Sequence, residues 1–148
     1  MWLELLFVYA ATLCFGILFN VPTRALFIGA LIGCLSWFIY RTLPEYGISI
    51  ILATALASFM SATLAQVLAK KFRIPATTFS IPAIIPLVPG SKAYFTMLAF
   101  VESDYLLGLE LGISTMLQAG AIAGGLVFAL AIFSFKKGGI GQRYEPGR

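Results

Sequence analysis

The chain has 148 residues, of which 60% are hydrophobic and only 11% are charged, and its mean hydropathy is +0.96. Soluble domains carry about 25% charged residues, so this composition excludes a water-soluble domain and predicts an all-α integral membrane protein. The net charge of +4 does not indicate a nucleic-acid partner, because the cations cluster at the ends of apolar segments.

Five apolar segments follow one another and form a single predicted transmembrane domain, a bundle of about five helices in the lipid bilayer. Because each crossing takes about 20 residues, they occupy nearly the whole chain. The predicted segments are residues 2–21, 25–40, 46–69, 74–101 and 111–135, followed by a short cytoplasmic tail at 136–148. The first segment has no basic region before it and no convincing cleavage site, so we expect it to be retained as a helix.

The fourth segment is interrupted by residues that break helices. Within its uncharged stretch these are Pro75, Pro82, Pro86, Pro89 and Gly90. Proline removes a backbone donor and clashes with the preceding turn, and lipid offers no replacement partner. Such breaks survive where the backbone is buried in protein or lines a polar cavity, and they often build the substrate sites of secondary transporters. A proline-kinked helix or an irregular interfacial loop is the alternative interpretation.

Lys92 follows this break and is the only charged residue predicted deep in the membrane. A helix from Lys92 to Glu102 rises about 15 Å, half of a core of about 30 Å. If Glu102 marks the outer surface, Lys92 is expected near the midplane. The lysine could attract a substrate carboxylate, or it could reach an interface and have no role. A broken crossing and a re-entrant hairpin followed by a half-helix both fit the segment.

The residues that we predict to shape the substrate path lie at the break and just after it. They are Pro86, Pro89, Gly90, Ser91, Lys92 and Tyr94. Carbonyls freed by the prolines could accept hydrogen bonds from a substrate ammonium. Amides from Ser91 to Ala93 could donate to a carboxylate at the start of the next helix. Gly90 would allow a positive φ or a close approach of the substrate.

Small residues mark faces on which helices in lipid can approach closely. They recur every four positions in the third segment and at GxxxG spacing in the second and fifth: Ala53, Ala57, Ser61, Ala65 and Ala69; Gly29 and Gly33; Gly120 and Gly124. We expect these faces to pack within the bundle or against a partner. Polar residues inside the spans, including Gln66, Ser114 and Gln118, could form interhelical hydrogen bonds or line a hydrophilic pathway.

The basic residues are distributed asymmetrically if all five segments cross. The other side then holds only Arg41, whereas one side holds Arg24, Lys70, Lys71, Arg73, Lys136, Lys137, Arg143 and Arg148. The positive-inside rule places the larger group in the cytoplasm. This predicts an N-terminus outside the cell membrane and a C-terminus inside.

Several kinds of enzyme chemistry are absent from the sequence. The chain has no histidine, which excludes imidazole catalysis and most metal sites. It also has no GxxxxGK[ST] phosphate loop, no GxSxG elbow and no cysteine pair with zinc spacing. Cys14 and Cys34 are expected to be free thiols in apolar segments. We therefore expect no enzymatic activity, no metal and no cofactor.

Two motifs resemble those of a known family. The first, Asn20-Val21-Pro22 followed by Arg24-Ala25-Leu26, lies at the end of the first segment. The second reads IIPLVPG and continues after two residues with Ala93-Tyr94. In this order, and over essentially the whole chain, they resemble the C-terminal membrane half of the threonine/serine exporter (ThrE) family, in its split, small-subunit form (the YjjB type).

The resemblance implies an exporter of the bacterial cytoplasmic (inner) membrane that works by secondary transport, driven by the proton gradient. In fused members a second membrane half precedes this one, and in split members a separate larger subunit supplies it. Substrates attributed to the family are threonine and serine for fused members and succinate for a split pair. The two motif prolines, Gly90, Ala93 and Tyr94 match the family pattern, whereas Lys92 departs from it, since that position is usually uncharged.

Three functions fit these features: a transporter subunit, a non-transporting assembly or scaffold subunit, and a small homo-oligomeric channel. Broken backbone at membrane depth favours transport, because a scaffold gains nothing from it. We therefore predict the small membrane subunit of a two-component exporter of small hydrophilic metabolites. Its expected partners are a larger membrane subunit, the small-molecule substrate and, as a further arrangement, other copies of this chain.

Overall fold

The computed structural model describes residues 2–137, and the regular structure within that range is entirely helical, which confirms the predicted all-α class. The helices are α1 (Trp2–Leu18), α2 (Thr23–Thr42), α3 (Ile50–Phe72), α4 (Thr77–Ile84), α5 (Gly90–Val101) and α6 (Tyr105–Lys137). Two 3₁₀ turns, Leu43–Tyr46 and Ile85–Leu87, follow α2 and α4. Most of the predicted cytoplasmic tail, residues 138–148, lies outside the described residues.

Three helices are long and apolar enough to cross a membrane: α2 with its following turn, α3, and α6. The segments Thr77–Leu87 and Gly90–Val101 meet at 50° and make a fourth candidate if they form one span. α1 is apolar but has only 17 residues, about 26 Å of helix, which is less than a core of about 30 Å. The described residues thus contain three to four candidate spans, and five crossings remain a prediction.

α3 begins and ends later than the third predicted segment. The chain first turns at Gly47, whose φ is +82°, a conformation that glycine adopts without steric cost. Ser49 then caps α3, its hydroxyl oxygen accepting a hydrogen bond from the Leu52 N–H at 3.4 Å. At the other end the helix continues through Lys70 and Lys71. Charged residues therefore mark a polar boundary without ending the helix.

α6 begins at Tyr105, six residues before the start of the fifth predicted segment at residue 111. The Asp104 carboxylate accepts a hydrogen bond from the Leu107 N–H at 3.2 Å, as an N-cap does. Glu110 lies inside the helix. The prediction used this acid as the edge of an apolar segment, but hydrogen-bonded helix continues past it.

α3 and α6 run side by side in the same direction. Ser58 Oγ lies 3.5 Å from the Ala121 carbonyl oxygen, and one end of the pair is marked by Lys70, whose Nζ lies 4.7 Å from the centre of the Phe133 ring. On α3, the small residues Ala53, Ala57, Ser61, Ala65 and Ala69 are all buried. Close approach at small residues thus brings these two helices together.

The glycine that permits this contact on α6 is Gly125. A Cβ built there would lie 2.8 Å from the backbone nitrogen of Phe59 and 2.5 Å from the carbonyl oxygen of Ala55. A Cβ at Gly120 or Gly124 would meet nothing within 4 Å. The predicted GxxxG pair therefore faces away from the described bundle, and the neighbouring glycine makes the contact.

α2 contacts a helix on each side through its own GxxxG pair. Gly33 lies against Thr12 of α1, where a Cβ would meet the threonine methyl at 3.1 Å. Gly29 lies against α4, within 4 Å of Pro82. α1 and α2 are antiparallel along their length, because Gly16 contacts Leu26 at one end. At the other end, Glu4 lies 4.0 Å from Arg41, which also pairs with the neighbouring Glu45.

The broken segment runs from one end of this bundle to the other. Near its start, Phe79 is fully buried in a cluster with Ala25 and Ala69, beside the basic ends of α2 and α3. Further along, Leu87 is buried in a second cluster with Ala57 and Ile122. α5 then packs along α6 and leads away from the start of the segment. This path differs from that of a re-entrant loop, whose two ends lie on the same side.

Candidate functional site

The break between α4 and α5 opens into a cavity of about 260 Å³. Its walls come from α2, the break itself, the first turn of α5, and α6. The lining residues are Trp37, Tyr40, Pro86, Leu87, Val88, Pro89, Ser91, Lys92 and Gln118. An apolar wall with a few convergent polar groups is the usual composition of a small-molecule site.

Lys92 provides the positive charge in this cavity. Its Nζ donates hydrogen bonds to Ser114 Oγ at 3.1 Å and to Gln118 Oε1 at 3.2 Å. The Gln118 amide nitrogen donates in turn to the Tyr40 hydroxyl at 3.4 Å. Gln118 is only 2% exposed, so this amide holds the lysine at a defined position between α2 and α6. An ammonium group with neutral partners keeps its full charge and can attract an anion.

The backbone of the break exposes polar groups beside this charge. The 3₁₀ turn ends at Val88, which is extended, with φ −65° and ψ 127°. Gly90 N–H donates to the Val88 carbonyl at 2.8 Å, and Ala93 N–H donates to the Pro89 carbonyl at 3.0 Å. The amides of Ser91 and Lys92 lie between these two, in the first turn of α5, where a helix offers no acceptor of its own. They can donate to an anionic group, and the helix dipole favours that interaction.

Four of the six predicted path residues line the cavity: Pro86, Pro89, Ser91 and Lys92. Tyr94 does not line it. This tyrosine is 64% exposed and makes an edge-on contact with Phe95, their ring centres 5.5 Å apart. The structure therefore brings together the charged residue, its neighbour and two prolines, and it leaves the motif tyrosine on the outer surface of α5.

Gly90 does not have the positive φ that we considered from the sequence. Within the described part of the chain, the only glycine with a positive φ is Gly47. Gly90 is the first residue of α5 and is exposed, and a Cβ there would meet nothing within 4 Å. The open space at the edge of the break leaves the other expectation, close approach of a substrate, as its remaining role.

Lys92 lies near one end of the bundle and not at its middle. Gln118 connects it to Tyr40, the residue before Arg41, and Arg41 forms the charged cluster with Glu4 and Glu45 at that end. The expected midplane position is therefore wrong. It assumed that the membrane surface lies at the end of α5, whereas α5 continues about 15 Å beyond the level of Lys92.

Trp37, Tyr40 and Gln118 were not among the path residues predicted from the sequence. The two aromatic residues looked like interface anchors, and Gln118 looked like an interhelical bond. The signal that could have found them is the single lysine itself, since a buried ammonium needs nearby oxygen acceptors. The Trp37 indole Nε1 is buried without a hydrogen-bond partner among residues 2–137, so this wall of the cavity keeps an unused donor.

The first sequence motif lies far from Lys92. Asn20 has a φ of +54°, which asparagine tolerates better than most residues, and so turns the chain between α1 and α2. A second cavity, of about 250 Å³, is lined by Phe19, Asn20, Val21, Pro22, Thr77, Thr78, Ile81 and Pro82. This motif therefore meets the first half of the broken segment, at the basic end of the bundle.

Comparisons with known proteins agree with this organisation. Residues 4–132 match the family model described as Threonine/Serine exporter, ThrE. The chain is similar to an uncharacterized protein of Haemophilus influenzae, with 30% identity over 135 residues. That alignment covers 87% of this chain but 45% of the relative, so the chain spans about half the length of that protein. No solved structure matches the chain.

Proposed function

Because this chain belongs to the threonine/serine exporter family, in which its sequence matches the family model over most of its length, we propose that it is one membrane component of a secondary exporter of small hydrophilic metabolites. The observation that supports this most directly is the cavity at the helix break, with a lysine held by neutral hydrogen-bond partners. Threonine, serine and dicarboxylates such as succinate are the proposed substrates, and the proton gradient is the proposed driving force.

The chemistry of the cavity suits one end of such a substrate. A carboxylate would accept hydrogen bonds from the Lys92 ammonium and from the amides of Ser91 and Lys92 at the start of α5. The apolar wall formed by Leu87 and Val88 would exclude water from the opposite side. All the proposed substrates carry a carboxylate. A substrate ammonium or second carboxylate would need partners beyond these groups.

The proposed orientation places this cavity toward the outer face of the bacterial inner membrane. Arg24, Lys70, Lys71 and Arg73 lie at the end of the bundle that would face the cytoplasm, by the positive-inside rule. Lys92 lies at the opposite end, with Arg41. In an exporter, the cavity would then serve release of the substrate.

We propose two components because the relative from Haemophilus influenzae is about twice as long as the matched region. Substrate sites of alternating-access transporters usually form between two structural repeats or halves. A partner of this chain would supply the second half. The binding site would be completed where that partner meets the broken segment.

Export from intact cells tests the proposal. Cells loaded with labelled threonine, serine or succinate would be compared with and without this chain and its membrane partner. We expect loss of the chain to slow efflux of at least one of the three, and restoration to recover it. Unchanged efflux of all three would count against the exporter and favour a scaffold role.

A further inference from the structure

We propose that the far end of α5 and α6 is a docking surface for a second membrane protein, which supplies the part of the proposed exporter that this chain lacks. The inference rests on the proposed function for its choice of partner. The surface belongs to the hairpin, defined here as residues 93–113. It consists of α5 after Lys92, the turn before Tyr105, and α6 as far as Ile113.

Charged residues mark the thickness of the rest of the bundle. Arg24 and Lys70 lie toward one end, and Arg41 lies at the other with Glu4 and Glu45. The rise along α2 from Arg24 to Arg41 is about 26 Å, close to the thickness of a hydrocarbon core of about 30 Å. A bilayer that covers this bundle therefore ends near the level of Arg41.

The hairpin lies beyond that level. Lys92 and Gln118 are joined to Tyr40, beside Arg41, and both α5 and α6 extend away from this point. Helix geometry places the end of α5 about 15 Å further out. Lipid tails, which cover the apolar sides of the bundle, do not reach this distance.

The hairpin is nevertheless apolar on its outer faces. Large side chains there are mostly exposed, including Tyr94, Met97, Val101, Tyr105, Leu106 and Ile113. Its two helices pack only on each other's inner faces, where Phe100 would meet a Cβ at Gly108 at 3.1 Å. Apolar patches of more than a few hundred Å² outside lipid generally mark protein interaction sites.

Charge identifies the kind of partner. The hairpin carries Glu102, Asp104 and Glu110, and none of them forms an ion pair within residues 2–137. A second copy placed face to face would bring like charges together, which disfavours self-association. A partner with an apolar face and basic residues at the same level would complement the surface. The unmatched part of the Haemophilus influenzae relative shows that protein of the required extent accompanies this domain in one chain.

Photocross-linking in native membranes tests the surface with the full chain. A photoreactive amino acid would replace Met97 or Leu106 on the hairpin, which are 68% and 83% exposed. Phe128 is the matched control, because it lies on α6 within the bundle and is 70% exposed. Adducts would be separated by mass and identified by peptide sequencing.

We expect the two hairpin positions to form an adduct with one larger membrane protein that resembles the unmatched part of the Haemophilus influenzae relative. The yield should exceed that at Phe128 severalfold. An adduct with a second copy of this chain, with lipid only, or with an unrelated protein would overturn the proposal. Because the adduct does not require transport, its formation in cells that export none of the tested metabolites would refute the exporter and leave the docking surface standing.

Discussion

Lys92 is held only by neutral groups, and this sets what the cavity can bind. Its two acceptors are the Ser114 hydroxyl and the Gln118 side-chain carbonyl. No ion pair involves it in the described part of the chain. An unneutralised ammonium in a partly apolar cavity attracts an anion, and it repels a cation. The cavity is therefore suited to a carboxylate and not to a simple amine.

Replacing Lys92 with leucine should weaken substrate binding while leaving the helices in place. A hydrogen bond to a charged group contributes about 1.5–3 kcal/mol, so the apparent KM for efflux should rise roughly tenfold or more. Lys92→Arg, which keeps the charge, is the matched control and should retain more activity. Export kinetics at several internal substrate concentrations would measure both. An unchanged KM in Lys92→Leu would show that the ammonium does not contact the substrate.

Replacing Gly90 with valine should reduce maximal export more strongly than Lys92→Leu does. The added side chain would occupy the open edge of the break, where no atom lies within 4 Å of a Cβ, so the described fold can accept it. Gly120→Val adds the same side chain at another open position and serves as the control. Expression and membrane insertion should be normal in both. If Gly90→Val and Pro89→Ala both export at the wild-type rate, the break has only a structural role.

At the scale of elements, the contact between α3 and α6 depends on a single turn of glycines. Gly124 and Gly125 are adjacent, yet only Gly125 faces the backbone of α3. Successive residues on a helix point about 100° apart, so the rotation of α6 decides which glycine is needed. The small residues on α3 provide the opposing surface.

Gly125→Ala should destabilise the helix pair, because the new Cβ would lie 2.5 Å from the Ala55 carbonyl oxygen. Overpacking of this kind costs about 1–3 kcal/mol. Gly124→Ala places the same methyl group in open space and should have little effect within this chain. Thermal unfolding in detergent, followed by loss of soluble monodisperse protein, would compare them. Equal stability of the two variants would contradict the observed rotation of α6.

At the scale of the whole molecule, the position of basic residues predicts the orientation in the membrane. Reporter fusions after Arg73 and after Arg148 should both give cytoplasmic signals, because an even number of crossings separates these points in the five-span topology. Fusions after Arg41 are the control and should give the opposite signal. Opposite sides for Arg73 and Arg148 would exclude that topology.

The chain by itself should not sustain transport. Its described helices form one half of a site, and the cavity of about 260 Å³ has walls from this chain on a few sides only. Liposomes that contain the purified chain should therefore show no substrate flux above empty liposomes. Flux should appear when the larger membrane partner is included. Robust flux with this chain alone would favour the homo-oligomeric channel.

The sequence by itself determined the class of the protein and the location of the break, because both depend on local chemistry. Apolar composition requires lipid, and the prolines near Pro86 and Pro89 interrupt helix wherever they occur. The four-residue spacing from Ala53 to Ala65 likewise places these residues on one helical face before any partner is known.

Only the tertiary structure decided which distant groups meet. Tyr40 and Gln118 come together because α2 and α6 pack at a particular height, and no local pattern specifies that height. The same register placed Lys92 at one end of the bundle, although charge spacing along its own segment had predicted the middle. It also chose Gly125 over Gly124, since the rotation of a helix about its axis is set by the neighbours it packs against.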